Sequence, residues 1–391
     1  MRVAVFTDND FDKVNGVTTA LTALVSHAPA DVLPRIYTAG ALSTDAPTYF
    51  ALGSMPVPIP FYGEMSMYVP HARAYLRRVV GDEVDVLHLT TPGPMGLTAL
   101  WIAARTGLPL VGSFHTDLEA YTALLSGSPR LGRWMGTYMR WMYGRCQTVL
   151  VPSAATRAML LETGSNGEHI RVWTRGVDTM LFSPLRRSSL LRDRWHVSDR
   201  RPALLYVGRL SREKGLEMLP AILERLNAIG SPHRLIVAGA GPLRPWLVQR
   251  CPDAIFTGSL GREAIAEVFA SADVFLFPSR TDTAGNVVLE AQAAGIPVIV
   301  SDAGGPCENM LHGLTGIVCE GSDPTRWAAV AADLLHNTAA RYAMAGAARR
   351  YALTRRWDLA LGNVYDAYRA ALATYDALIT SSGFMQKGRA S

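Results

Sequence analysis

Short aliphatic and β-branched runs alternate along the first half of the chain with segments of helical periodicity. Such short runs favour strands, and the amphipathic segments between them favour helices. The predicted strands of this half are residues 3–7, 84–89, 110–114, 148–151 and 171–173, and the first predicted helix is residues 16–27. Strands separated by helices are typical of a parallel sheet that helices cover on both faces.

The same alternation starts again after a polar stretch, residues 184–201, that is rich in arginine and serine. The predicted strands of the second half are residues 203–207, 235–238, 254–257, 274–277 and 296–300. Because 391 residues exceed what one core usually organises, we predict two doubly wound α/β domains, residues 1–184 and 201–356. An apolar helix is predicted at about residues 357–375, and residues 382–391 are predicted to be a disordered tail.

The turn after the strand at 274–277 carries the most informative polar residues. Pro278 ends the strand, Asn286 and Val287 open a helix, and Gly295 closes it, so Asp282 and Gly285 lie in the turn before a helix N-terminus. Free backbone N–H groups there suit a phosphate, and a glycine lets a ligand approach the backbone closely. Glu290 lies one helical turn after Asn286, on the same face. On these residues alone, Asp282 as a simple capping residue and Glu290 as a surface residue remain an open alternative.

These residues resemble the E-x7-E signature of retaining glycosyltransferases of the GT-B fold, family 4, with Asp282 in place of the first glutamate and Glu290 as the second. The resemblance covers most of the chain. Its other landmarks are Asn15-Gly16-Val17, Ser113-Phe114-His115-Thr116-Asp117, Arg175-Gly176-Val177-Asp178, Gly208-Arg209, Lys214-Gly215 and Gly239-Ala240-Gly241-Pro242. The variants around Arg175 and Asp282 look most like bacterial GDP-mannose-dependent mannosyltransferases and sulfoquinovosyl-type transferases that modify membrane lipids.

The resemblance implies a GT-B fold, in which two Rossmann-like domains face a central cleft and the C-terminal helix crosses back to the first domain. It also implies a role for each matching residue. Arg209 and Lys214 would hold the diphosphate, Glu290 the ribose, and His115 and Asp282 the sugar. Gly16 would lie near the donor phosphate or the acceptor, Gly258 beside the base, and Gly285, Asn286 and Val287 would line the donor site. Asp282 is one methylene shorter than the family's glutamate, so its sugar contact and the donor preference stay open.

Ordinary chemistry supports the role of Arg209 and Lys214, since charge develops on the diphosphate oxygen as the bond to the sugar breaks. Two cations in a strand-end loop can stabilise that charge, and we therefore expect no metal and no other cofactor. The alternative is that both are solvated loop charges. His115 likewise lies at a strand end, where a structural histidine is the common case, and nothing in the sequence indicates a protein nucleophile.

Two further motifs resemble known ligand-binding signatures but are not expected to act as such. Asp8-Asn9-Asp10 spells D-x-D, a metal-binding motif of another glycosyltransferase fold, but it lies in the first turn of a doubly wound domain, where acidic loop residues are common. The loop from Gly239 resembles a dinucleotide fingerprint, yet Arg244 replaces its third glycine. The four cysteines, Cys146, Cys251, Cys307 and Cys319, show no metal-ligand spacing and are predicted to be free thiols.

The net charge of +5 indicates an anionic partner. Arg130, Arg133, Arg140 and Arg145 interleave with tryptophan, tyrosine and methionine without an acidic residue, which favours a helix that lies on an anionic membrane surface. An exposed apolar loop is predicted at residues 55–69. The alternative is that both stretches are core or domain-interface material. Nucleic acid is not expected as a partner, because no basic cluster of that kind is present.

Asp8 and Asp10 follow the first apolar residues closely, which leaves no apolar segment of signal-peptide length there. No later apolar run is long enough to cross a bilayer, so we expect a cytoplasmic protein that is peripheral on the membrane. The sequence therefore predicts a metal-independent retaining glycosyltransferase that moves a sugar, mannose from GDP-mannose in the favoured case, to a lipid or glycan hydroxyl. Three alternatives stay open: a UDP-sugar-dependent lipid glycosyltransferase (glucosyl, glucuronosyl or sulfoquinovosyl), a nucleotide-sugar 2-epimerase of the same fold, and a non-catalytic scaffold.

Overall fold

A computed structural model describes residues 1–11, 15–39, 48–52, 56–59 and 62–381. The predicted tail, residues 382–391, lies outside this range. The chain separates into two compact units. Unit 1 comprises Met1–Pro152, Arg157–Thr174 and the chain from Leu361 onward, and unit 2 comprises Ser153–Thr156 and Arg175–Ala360. The domain limits predicted at residues 184 and 201 stay a prediction.

Unit 1 is built on a parallel sheet of seven strands in the order β3-β2-β1-β6-β7-β8-β9. The strands up to residue 174 are β1 (Arg2–Thr7), β2 (Leu33–Thr38), β3 (Tyr49–Ala51), β4 (Pro56–Ile59), β5 (Tyr62–Tyr68), β6 (Val86–Leu89), β7 (Leu110–Ser113), β8 (Thr148–Val151) and β9 (Ile170–Val172). The helices are α1 (Gly16–Ser26), α2 (Ala72–Gly81), α3 (Pro94–Thr106), α4 (Leu118–Ser126), α5 (Pro129–Tyr143) and α6 (Ala154–Glu162). The predicted strands of this half are present, with ends shifted by up to two residues.

Residues 55–69, predicted to be an exposed apolar loop, instead contain β4 and β5, which pair as an antiparallel ribbon. Met55, Pro60 and Phe61 lie outside the described residues. The loop prediction was wrong because apolar residues alternate with others at period two, as in Val57 and Ile59 and in Met65 and Met67, and that alternation favours strands.

Unit 2 repeats the architecture with six parallel strands in the order β12-β11-β10-β13-β14-β15. Its strands are β10 (Ala203–Val207), β11 (Arg234–Ala238), β12 (Ile255–Gly258), β13 (Val274–Phe277), β14 (Val298–Ser301) and β15 (Gly316–Cys319). Its helices are α7 (Ser189–Arg194), α8 (Met218–Ala228), α9 (Arg244–Arg250), α10 (Arg262–Ser271), α11 (Asn286–Ala293), α12 (Pro324–His336), α13 (Thr338–Leu353) and α14 (Trp357–Ala360). Strand β15, at one edge of the sheet, was not predicted.

Each sheet is the centre of its own apolar core. In unit 1, Phe6 stacks on Tyr37 with ring centroids 5.2 Å apart, and both rings are fully buried. In unit 2, Phe275, Phe277 and Tyr206 stack in a row across β13 and β10. Strands that are buried on both faces read as continuous apolar runs, which is why 203–207 and 274–277 were predicted with their correct ends.

The C-terminal helix α15 (Gly362–Ser381) packs on unit 1, as the resemblance implied. The Tyr365 hydroxyl donates a hydrogen bond to the Leu24 carbonyl at 2.8 Å, and Tyr368 is fully buried. The single helix predicted at 357–375 is broken at Leu361, so α14 belongs to unit 2 and α15 to unit 1. Gly362, a poor helix former, marks this break.

Candidate active site

The strands of unit 2 are parallel, so the loops at their carboxyl ends share one edge of the sheet. Gly208 follows β10, Gly239 follows β11, and Gly258 ends β12. The Gly239 N–H donates to the Gly258 carbonyl at 2.9 Å, and a Cβ at Gly239 would collide with the Gly208 carbonyl. Gly239 therefore lets the loops after β10 and β11 lie backbone against backbone, at the edge where open α/β sheets bind ligands.

The loop that carries Lys214 is bound to the turn after β13. The hydroxyls of Thr281 and Ser279 both donate to the Glu213 carbonyl, at 2.7 and 3.2 Å. As a result the Lys214 Nζ lies 2.7 Å from the Asp282 Oδ2, and each side chain is only about one fifth exposed, at 22% and 19%. The structure thus brings together two of the predicted site residues that are distant in sequence.

Asp282 also organises the turn in which it lies. Its Oδ1 accepts hydrogen bonds from the backbone N–H groups of Gly285 and Ala284, at 2.8 and 3.1 Å. Burial alone would raise the pKa of Asp282, but the Lys214 ammonium and these two N–H groups together lower it. Asp282 therefore holds the turn before α11 and is an ionised partner of Lys214 at once, while its contact with a sugar stays a prediction.

The start of α11 is fixed by a second glycine loop that the sequence analysis missed. Gly285 has a φ of 65°, and a Cβ there would lie 2.7 Å from the Pro306 Cα. The Gly305 N–H donates to the Asp282 carbonyl at 2.8 Å, and the Asn309 side-chain amide donates to the Ala284 carbonyl. The Gly-Gly-Pro sequence at 304–306 is a turn signal that could have indicated this support.

Glu290 lies in α11, half-buried, one turn after Asn286 and beside the partly buried Val287. Burial raises the pKa of Glu290 to about 7, and the charge of Arg262 opposes the shift. A carboxylate that is kept from water but poorly compensated is suited to accept hydrogen bonds from ligand hydroxyls. Its place on the first turns of α11 fits the ribose role that the resemblance implies.

Two arginines add positive charge to this part of unit 2. Arg209 follows Gly208 and is half-buried, and burial lowers its pKa while the nearby Glu213 opposes that shift. Arg175 is almost fully buried, burial lowers its pKa to about 10, and the charge of Asp282 acts in the opposite direction. The sequence indicated Arg175 only as a landmark of the family. Its burial next to an acidic turn is a tertiary feature that no local pattern signals.

The other predicted site residues, His115 and Gly16, belong to unit 1. His115 comes two residues after the end of β7, its Nε2 lies 2.8 Å from the Ser113 Oγ, and its ring meets Trp173 edge-on with centroids 5.8 Å apart. Gly16 is the exposed first residue of α1, and Asn15 caps that helix by accepting from the Val17 and Thr18 N–H groups at 2.9 Å. Both lie at the carboxyl edge of the unit 1 sheet.

Asp8, the first residue of the D-x-D sequence, is used inside unit 1. Its Oδ1 accepts from the Met95 N–H at 2.9 Å, at the start of α3, and its Oδ2 accepts from the Thr91 hydroxyl at 2.5 Å. Burial raises the pKa of Asp8 to about 6, although these hydrogen bonds oppose the shift. Within the described ranges no group of three or more histidine, cysteine, aspartate or glutamate side chains could hold a metal ion.

The carboxyl edge of the unit 2 sheet carries cations, a helix N-terminus and a carboxylate with a raised pKa. Lys214, Arg209 and the N–H groups at the start of α11 can bind an anion such as a diphosphate. Glu290 can accept hydrogen bonds from a neutral polyol. The edge of the unit 1 sheet offers His115, which can exchange hydrogen bonds with hydroxyl groups.

Two family models match the chain. The model for glycosyltransferase family 4 matches residues 14–181, and the model for glycosyl transferases group 1 matches residues 201–337. A GDP-mannose-dependent alpha-mannosyltransferase of Mycobacterium tuberculosis is 32% identical over 382 residues, which cover 95% of this chain and 97% of the relative. The sulfoquinovosyl transferase SQD2 of Arabidopsis thaliana is 30% identical over 329 residues, 82% of this chain and 64% of the relative.

A solved structure shares the fold. The sucrose-phosphate synthase of Thermosynechococcus elongatus superimposes with a TM-score of 0.78 at 19% identity, covering 95% of this chain and 99% of that one. That likeness supports the GT-B architecture of two Rossmann-like sheets. Together with the matches of both halves and the 32% identical relative, it leads to one conclusion: the chain belongs to the group 1, family 4 glycosyltransferases and is a hexosyltransferase that uses a nucleotide-sugar donor.

Proposed function

We propose that the protein transfers mannose from GDP-mannose to a hydroxyl of a membrane lipid or glycan, with retention of configuration and without a metal ion. The observation that carries the proposal is the pairing of Lys214 with Asp282 at the turn before α11. This pairing holds an ammonium group at a helix N-terminus, where a diphosphate would bind. The names of the mannosyltransferase relatives support mannose as the sugar.

In the proposed reaction the acceptor oxygen bonds to the anomeric carbon of the sugar, and the bond from that carbon to the diphosphate oxygen breaks. The acceptor proton passes to the leaving phosphate oxygen on the same face of the sugar. Arg209 and Lys214 stabilise the negative charge that develops on this oxygen. Glu290 binds the ribose hydroxyls, and His115 and Asp282 bind the hydroxyls of the sugar.

A UDP-sugar donor is the second candidate, favoured by the sulfoquinovosyl transferase among the relatives. Thermal unfolding of the purified protein should decide between the two, measured with GDP, GDP-mannose, UDP, UDP-glucose and UDP-glucuronate. A ligand at 100 times its Kd stabilises a protein by about 2.7 kcal/mol, which raises the Tm measurably. We expect GDP and GDP-mannose alone to raise the Tm and slow hydrolysis of GDP-mannose to be detectable. A rise in Tm with the uridine compounds alone would identify a UDP-sugar, rather than GDP-mannose, as the donor. No rise with any of these nucleotides would contradict a donor site.

We further propose that the protein binds anionic membranes through a surface on α5 and the residues just after it. This surface, the aromatic–arginine face, comprises Leu131, Trp134, Trp141, Arg130, Arg133 and Arg145. Trp134 and Trp141 are 62% and 46% exposed, and both stack on Tyr138. The guanidinium of Arg145 lies 4.2 Å from the centre of the Trp141 ring. Exposed tryptophans beside arginines suit the headgroup region of a bilayer, where apolar rings and cations both find partners. Across the described ranges no helix is long and apolar enough to span a membrane.

The double variant Trp134→Ala/Trp141→Ala should bind vesicles that contain anionic lipid at least about tenfold more weakly, because both rings lose the apolar contact. Cosedimentation measures this binding, with one set of vesicles made of neutral lipid and a second set made of neutral and anionic lipid. Tyr342→Ala is the matched control, since Tyr342 is an aromatic residue of unit 2 with the same 62% exposure. Equal vesicle binding by wild type and the double variant would contradict the membrane contact.

A further inference from the structure

Four polar side chains in unit 1 form a continuous hydrogen-bonded row from helix α15 to His115. The Tyr368 hydroxyl lies 2.7 Å from the His88 Nδ1, the His88 Nε2 lies 3.0 Å from the Ser113 Oγ, and the Ser113 Oγ lies 2.8 Å from the His115 Nε2. Tyr368, His88 and Ser113 are fully buried, and His115 is partly exposed. The row therefore joins a residue of the candidate site to the C-terminal helix through groups that do not contact solvent.

The direction of donation along this row follows from the tyrosine. Among the hydrogen bonds of the described residues, the Tyr368 hydroxyl has the His88 Nδ1 as its one partner. A buried hydroxyl that does not donate is costly, so Tyr368 donates to Nδ1. His88 is neutral, since burial lowers its pKa to about 3, and its single proton is then on Nε2.

The remaining bonds are then determined. The His88 Nε2–H donates to the Ser113 Oγ, and the Ser113 hydroxyl donates its proton to the His115 Nε2. His115 thus accepts at Nε2 and carries its proton on Nδ1. The reverse direction would place a proton on His88 Nδ1 facing Tyr368 and leave the tyrosine O–H without an acceptor in the core.

We propose that Tyr368, His88 and Ser113 are positioning residues that hold His115 in its Nδ1–H tautomer and fix the orientation of its ring. The proposal rests on the proposed function, in that His115 then presents an N–H donor, rather than a lone pair, to an oxygen of the donor sugar. It also gives the C-terminal helix α15 a role in the site, because Tyr368 sets the direction of the whole row.

The tautomer can be measured without any substrate. Long-range 1H–15N correlation spectra of protein labelled with 15N-histidine distinguish protonated from unprotonated ring nitrogens, and the nine histidines can be assigned with His88→Gln and His115→Gln variants. We expect His88 to be protonated on Nε2 and His115 on Nδ1. In Ser113→Ala we expect a larger fraction of the Nε2–H form of His115, because the serine hydroxyl no longer donates to Nε2. A wild-type His115 protonated on Nε2, or a spectrum unchanged by Ser113→Ala, would overturn the proposal.

Tyr368→Phe and Tyr365→Phe form a matched pair for the role of α15. Each removes one hydroxyl of this helix, and the Tyr365 hydroxyl donates to the Leu24 carbonyl rather than to the row. Both variants should lower the Tm by a similar amount. Only Tyr368→Phe should give mixed tautomers of His88 and His115, because the direction of the row is no longer set. Mixed tautomers in both variants, or in neither, would contradict the proposed role of Tyr368 in the hydrogen-bonded row.

Kinetics test the consequence for transfer. We expect Ser113→Ala to lower kcat about tenfold or more through misplacement of His115, with the KM for the sugar nucleotide nearly unchanged, and Ser113→Thr to restore most of kcat because it keeps the hydroxyl. A loss that appears in KM instead, or no rescue by threonine in a folded variant, would contradict a positioning role. Absence of transfer by the wild type would reject the proposed function, whereas the tautomer of His115 would still test the direction of the hydrogen-bonded row.

Discussion

Replacement of Lys214 by alanine should lower turnover by about 10²- to 10³-fold, the usual cost of removing one group that stabilises charge in a transition state. The Lys214 Nζ lies 2.7 Å from Asp282 and at the start of α11, where a diphosphate would be bound. Without the ammonium, only the Gly285 and Ala284 N–H groups remain to offset the burial of Asp282. The variant therefore loses the attraction of Lys214 for the leaving group.

The measurement is steady-state transfer or donor hydrolysis with the sugar nucleotide that stabilises the wild type. Arg212→Ala is the control, because Arg212 is an exposed basic residue of the same turn. It removes one positive charge at nearly the same place in the chain and should keep turnover within a few-fold of the wild type. If Lys214→Ala turned over at the wild-type rate, Lys214 would be one of the solvated loop charges that the sequence left open.

Replacement of Glu290 by glutamine should weaken the binding of the nucleoside diphosphate about 10- to 100-fold, since a hydrogen bond to a charged group contributes roughly 1.5–3 kcal/mol. A carboxylate can accept from both ribose hydroxyls, whereas an amide offers one accepting oxygen. Inorganic pyrophosphate has no ribose, so its affinity should not change. Isothermal titration with both ligands separates the two roles, because Lys214→Ala should weaken both.

The pKa of Glu290 gives this prediction a pH dependence. In the free protein burial raises that pKa to about 7, and the ionised form binds the ribose hydroxyls more tightly than the protonated form. The affinity of the wild type for the nucleoside diphosphate, relative to pyrophosphate, should therefore rise between pH 6 and pH 8, and at pH 6 the nucleoside diphosphate should release up to about one proton more per ligand bound than pyrophosphate does. Glu290→Gln should show no such rise, and Glu217→Gln, at an exposed position before α8, should behave like the wild type. A ratio of affinities that does not change with pH in the wild type would remove Glu290 from the ribose site.

Much of the fold was accessible to local reasoning. Residues 203–207 and 274–277 are apolar on every position because both faces of these parallel strands are covered, and Gly295 marks the helix end through its positive φ of 76°. The inner strand β2 and the short edge strands β3 and β15 were not predicted. Edge strands such as β3 and β15 are less buried than inner strands and leave a weaker apolar pattern. The antiparallel ribbon of β4 and β5 was mistaken for a loop although alternation at period two favours strands there.

Local patterns along the chain were enough to indicate most strands of the two sheets, the loops at their ends and the family, and with them the residues predicted to bind a nucleotide sugar. Which of those residues lie in contact became evident only from the fold. Lys214 meets Asp282 across 68 positions, and Tyr368 meets His88 across 280, because parallel strands bring distant loops to one edge and the last helix packs back on unit 1. Pairings of this kind depend on burial and on which donors find acceptors, and these are properties of the packed core that no local window of sequence contains.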